Sequence, residues 1–130
     1  MADLDLKELL ELLGQEQACY TALIDLSRQQ RAAIEQSDMV ALTPLLGQKH
    51  SVLRRIAGVE LQLRPYKMNW KTFRVQLNRQ DRQVLDMALA TVEELLSELI
   101  SHERDSESIL LAKESFLDGD SMSTQQKSAA

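Results

Sequence analysis

Residues 33–56, AIEQSDMVALTPLLGQKHSVLRRI, decide the fold. A run of helical spacing ends at Ser37-Asp38, and apolar residues restart at Leu42, Leu45, Leu46, Val52, Leu53 and Ile56, with Lys49 among them. The run before the break, Leu4 to Ile34, is also leucine-rich and helical in spacing. Two long amphipathic segments joined by two or three residues fold back on each other as a helical hairpin. Such a hairpin points to helix-on-helix recognition before it points to a catalytic cleft.

The rest of the composition agrees with an all-α chain. Leucine occurs 23 times in 130 residues, while glycine (4), proline (2) and aromatics (4%) are scarce. Leu, Ala, Glu, Gln, Lys and Arg favour helix, whereas sheets need β-branched and aromatic residues and turn formers. The expected fold is an antiparallel bundle of three long helices with coiled-coil-like packing, plus a short helical connection. One domain over 1–117 is expected, with a flexible tail over 118–130, where SMSTQQKSAA comes after Asp118-Gly119-Asp120.

The first helix is expected over about 4–36, capped by Asp3 or Asp5. Its stripe is Leu6, Leu9, Leu13, Tyr20, Leu23 and Ile34, diluted in the middle by Glu16, Gln17, Ser27, Gln30 and Arg31. Gly14 costs roughly 1 kcal/mol there and offers a place for close helix approach. Asp38 is a good N-cap for the second helix, but Thr43 as cap with Pro44 at the first helical position is the cleaner solution. The second helix is then expected over 44–63, ended by Arg64-Pro65, and the third over 81–117 with Asp81 as cap. On those lengths, about 30 Å against roughly 55 Å, the first and third helices overhang the second. The third carries a clean seam, Leu85, Ala88, Val92, Leu95 and Leu99, then a polar stretch over 101–108.

Between the second and third helices, Tyr66, Trp70 and Phe73 fall on one face of a short helix. They read as a hydrophobic plug over one end of the bundle. The competing reading is base stacking, because Lys67, Lys71 and Arg74 interleave them. The plug is preferred, since a bundle end needs one and the net charge of −5 argues against nucleic acid. Charge is segregated: nine basic residues lie between Lys49 and Arg82, and nine acidic ones between Glu93 and Asp120. These are either two solvated faces that attract each other across the bundle or a basic docking patch for an acidic partner.

No catalytic, cofactor or metal pattern is present. There is no phosphate-binding glycine loop and no nucleophile elbow. His50 and His102 have Gly47 and Leu99, not Glu, three residues before them, so the di-metal helix motif fails. Cys19 reads as a small core hydrophobe and, as the single cysteine, fits a reducing cytoplasm. The acidic start MADLDLKELLELL lacks a positive signal-peptide region, and no apolar run is long enough to span a membrane. Partner binding remains. Ile109, Leu110, Leu111, Phe116 and Leu117 come after the polar stretch, and they either pack on the first helix or offer a groove to a partner's amphipathic helix.

The segment RQQRAAIEQSDMVALTPLLGQKHSVLRRI, Arg28–Ile56, resembles the central region of FlgN-type flagellar export chaperones, and LLELLGQEQACYTALIDLSRQQR resembles the family's first helix. The residues that carry the likeness are Asp38, Leu42, Leu45, Leu46, Lys49, Leu53 and Ile56. Family members often carry asparagines late in the last helix, where this chain reads HERDSES at 102–108. The resemblance covers about residues 4–117. It implies a small cytoplasmic chaperone without enzymatic activity. Such a chaperone binds the C-terminal segments of hook–filament junction proteins, prevents their premature assembly and delivers them to the flagellar export apparatus. The client-binding positions it implies are Ile109, Leu110, Leu111, Phe116 and Leu117, continuing into the tail. The alternative is a structural coiled-coil or oligomerisation domain, its third helix buried in a homodimer.

Overall fold

The computed structural model describes the backbone of residues 4–118 and the side chains of residues 4–105. The elements run α1 (Leu6–Glu35), α2 (Met39–Met68), α3 (Trp70–Val75) and α4 (Arg79–Asp118), with no strand among the described residues. The expected all-α bundle of three long helices and a short connecting helix is what forms. Apart from Asp118, which ends α4, the expected tail lies outside the described residues.

The corner between α1 and α2 is built from the residues that suggested it. Ser37 adopts a left-handed backbone with φ 55°. Its N–H donates to the Ile34 carbonyl at 3.0 Å, and the Asp38 N–H donates to the Ala33 carbonyl at 2.8 Å. That pair of bonds closes the C-terminus of α1 in a Schellman arrangement. The Asp38 carboxylate then accepts from the Ala41 N–H at 3.1 Å and caps α2. Ser37→Val is expected to destabilise the fold by about 1 kcal/mol in chemical denaturation, because a β-branched side chain is strained at positive φ.

Helix α2 therefore starts at Met39, not Pro44, and continues past Pro65 to Met68. Each proline deprives the carbonyl four residues earlier of its donor, here Val40 and Leu61. Those residues are 86% and 61% exposed, so water takes the place of the lost N–H. The same displacement occurs at α4, where Asn78 rather than Asp81 is the cap: its side chain accepts from the Asp81 N–H at 2.8 Å. The polar stretch does not interrupt α4, which is continuous through 101–108.

At 30 residues each, α1 and α2 have equal length, about 45 Å, so only α4, at about 60 Å, overhangs. The chain runs up, down and up, with α1 packed on both α2 and α4. The burial pattern reflects that position. Helix α1 buries a broad face, including adjacent pairs Leu12-Leu13 and Leu23-Ile24. Helix α2 buries a narrow seam, Val52, Ile56, Val59, Leu63 and Tyr66, and α4 buries Leu85, Val92 and Leu99 at seven-residue intervals. Leu46 and Leu53, candidates for the α2 seam, lie outside it.

The aromatic segment closes the lower end. Tyr66 and Phe73 are buried, their rings edge to face at 5.5 Å, with Trp70 packed beside them. The Tyr66 hydroxyl accepts from the Asp5 N–H and donates to the Asp5 carbonyl, both at 3.1 Å, fixing the start of α1. Gly14 makes no close helix approach: the space before it is open and the residue is exposed. Gly14→Ala is accordingly expected to raise stability by about 0.5–1 kcal/mol through helix propensity alone, measured by urea denaturation.

Candidate functional site

The face between α2 and α4 is a channel whose floor is α1; one polar layer crosses it and a second joins its floor to α2. In the upper layer, Ser27, fully buried on α1, donates to the Glu103 carboxylate of α4 at 2.6 Å. Lys49 of α2 forms an ion pair with the same carboxylate and donates to the Gln30 side chain at 3.2 Å. Burial pushes the Glu103 carboxyl up, but the hydrogen bonds from Lys49 and Ser27 outweigh it and hold the group below the usual carboxylate range. The polar stretch of α4 thus supplies the group that ties all three long helices together.

The lower layer joins Glu16 of α1 to Glu60 and Lys67 of α2. Glu16 is 4% exposed. Burial, then the hydrogen bond and the charge of Glu60, push it up to about 8. The hydrogen bond from Glu16 draws Glu60 down, and Lys67 lies 2.5 Å from it on the other side. One proton therefore resides on Glu16 and is donated to the Glu60 carboxylate. Next to this layer the channel widens to a cavity of about 380 Å³ lined by Leu9, Leu13, Tyr66, Trp70, Leu89 and Glu93 among others.

The pairs Ser27–Glu103, Arg28–Glu98 and Arg31–Asp105 fix the register of α4 along α1. They put Glu35, the last residue of α1, level with about residue 108. The backbone of α4 continues beyond that corner to Asp118, about ten residues or roughly 15 Å. Ile109, Leu110, Leu111, Phe116 and Leu117 lie on this stretch, and their side chains fall outside the described residues.

The fold also places the remaining sequence candidates. Cys19 is buried in the core. His102 lies 3.7 Å from Glu98 on its own helix. Among the described residues no group of three or more His, Cys, Asp or Glu side chains could hold a metal. Two of the three aromatic rings proposed for base stacking are buried, so they are closed to a nucleobase. The acidic face of α4 pairs with α1 through Arg28 and Arg31 as well as with the basic segment, where Lys49–Glu103 and Arg74–Asp86 are the links. Glu16 and Ser27, which read as dilution of the α1 stripe, are its buried polar members. Their spacing carried the signal: Glu16 is seven residues after Leu9, and Ser27 is seven before Ile34.

No helix among the described residues is long and apolar enough to cross a membrane. Neither the curated proteins nor the solved structures searched gave a match. The family model described as FlgN protein matches residues 1–123, nearly the whole chain. A three-helix body with a polar-latched channel and an α4 that outruns its neighbours is thus the form taken here by a member of the FlgN family, a family of flagellar export chaperones.

Proposed function

We propose that this protein is the cytoplasmic chaperone of hook–filament junction proteins. It holds their C-terminal segments, prevents premature assembly and hands them to the flagellar export apparatus. Membership of the FlgN family supports the class of function. The observation that carries the site is the extension of α4 past the α1–α2 corner, with Ile109, Leu110, Leu111, Phe116 and Leu117 on the extended part. An amphipathic helix needs something to cover its apolar stripe, and past the corner neither α1 nor α2 continues beside α4. A client segment that is itself amphipathic covers both stripes at once. No catalysis and no cofactor enter this function; the client is held, not transformed.

The test is a calorimetric titration of the full chain with a peptide comprising the C-terminal helix of a junction protein. A saturable complex of fixed stoichiometry with micromolar or tighter affinity is the expected result. Absence of heat and of co-elution at tens of micromolar would overturn the proposal. It would leave the alternative of a structural helical domain without a client, whose sign is a homodimer by light scattering that no peptide displaces.

A further inference from the structure

The α2–α4 face has the geometry of a four-helix bundle with one helix missing. In such a bundle each helix touches two neighbours and faces a third across the core. Helix α1 touches α2 and α4; the position diagonal to it, touching α2 and α4 from the other side, has no occupant among the described residues. The side chains on that side are apolar and half exposed. Leu46 and Leu53 stand three residues before and four after Lys49, and Ile100 and Leu96 stand three and seven before Glu103. Because Lys49 and Glu103 are joined across the channel, these four residues flank one another along its two rims. Their exposures, 46%, 44%, 43% and 38%, are those of residues turned to the lip of a groove. The lip runs from the cavity beside Leu89 toward the part of α4 that passes the corner.

Charge limits the occupant. On the α2 rim, Arg64 is exposed and makes no ion pair among the described residues, and the one acid of that helix, Glu60, is already held by Glu16 and Lys67. The α4 rim is mixed, with Glu93 beside Arg82 and Arg104. We infer that this groove seats one amphipathic helix of the client, its apolar stripe over Leu46, Leu53, Leu96 and Ile100 and an acidic edge along Arg64. The inference rests on the chaperone function proposed above and extends the client site down the length of the body.

The experiment titrates the full chain and its Leu53→Glu, Leu96→Glu and Arg64→Glu variants with the junction-protein C-terminal peptide. Leu61→Glu, on an outward position of α2, is the control. All four sites are exposed, and circular dichroism checks that each variant keeps its fold. The expected result is a loss of at least about tenfold in affinity for each leucine variant of the groove, a salt-sensitive loss for Arg64→Glu, and none for Leu61→Glu. Binding by the groove variants equal to that of the parent would overturn the inference while leaving the chaperone function standing. If the parent does not bind the junction peptide, the chaperone proposal fails. The groove is then read with a synthetic leucine-seam helix carrying glutamates along one edge: binding that Leu53→Glu abolishes supports the groove, and no binding overturns it. Two other results would also overturn it. In one, Leu53→Glu turns a dimer into a monomer, which makes a second copy the occupant. In the other, the parent binds the peptide, deletion of residues 119–130 strengthens that binding, and Leu53→Glu removes the gain, which makes the chain's own tail the occupant.

Discussion

Truncation after Arg104 is expected to weaken client binding by at least about 100-fold while the folded body survives. The cut removes Ile109, Leu110, Leu111, Phe116 and Leu117 together with the last fourteen helical residues of α4. It spares every side chain described as buried, since the last of these on α4 is Leu99. It also spares the Lys49–Glu103–Ser27 latch. The only described tie it removes is the exposed Arg31–Asp105 pair, and such surface pairs contribute at most about 1 kcal/mol. Circular dichroism should therefore show a helical protein with a cooperative melt, and calorimetry should show no heat on adding the peptide. A truncated chain that still bound the peptide within a few-fold of the parent would move the client site onto the body.

The second large effect is on stability and depends on pH. Glu16 is raised in the folded protein to about 8, from 4.5. In the unfolded chain it ionises near 4.5, so as pH rises from there toward 8 the unfolded state loses a proton that the folded state keeps. Stability therefore falls across that window. Glu60 works in the opposite sense and at lower pH, because its depressed carboxyl gives stability that is lost only as pH falls below the ordinary range. The protein is expected to be most stable near about pH 4.5–5 as far as this pair decides it. Glu16→Gln keeps a donor for the Glu60 carboxylate and removes the buried ionisable group. It should leave stability at about pH 5 nearly unchanged and raise it at about pH 8 by about 2 kcal/mol, a figure reduced for the open channel beside the carboxyl. Urea denaturation of both proteins at the two pH values measures this. A variant less stable than the parent at the higher pH would show that Glu16 is stabilised as a carboxylate.

The corner is legible in the sequence because its signals are local. Ser37-Asp38 stands where two leucine patterns fall out of phase, and a left-handed residue with an aspartate cap after it is what a tight helix reversal requires. The aromatic plug is legible for a similar reason: three of the chain's five aromatics fall at helical spacing where a bundle end has to be closed. The ends of α2 are misplaced by the usual weight of proline. Its cost depends on whether the carbonyl it strands is buried, and Val40 and Leu61 are both outside the core. That is a tertiary fact absent from the local sequence. The longer α2 confines the overhang to α4.

The polar layers are harder to read for another reason. Glu16 and Ser27 read as dilution of the α1 stripe and Glu103 as part of a polar stretch; only the meeting of three helices joins Ser27 and Glu103 to Lys49 as a latch, and only the pairing of α1 with α2 sets Glu16 against Glu60. The same is true of Leu46 and Leu53, which satisfy the α2 pattern as well as Leu45 and Val52 do. Which pair faces α1 follows from the rotation of α2, which buries Val52 and leaves Leu53 44% exposed. The candidate client-binding residues at 109–117 are legible as an apolar run after a polar stretch. The register of α4 against α1 then places that run past the corner.

The most direct measurement of the central claim is amide hydrogen exchange on the full chain, with and without the junction-protein C-terminal peptide. Past the corner α4 has no described helix beside it, so its amides at 106–118 should exchange faster than those at 85–99 in the free protein. Adding the peptide is expected to slow them strongly, while the corner at 33–38 is unchanged. A bound peptide that left exchange at 106–118 as it was would contradict the claim that the far end of α4 holds the client.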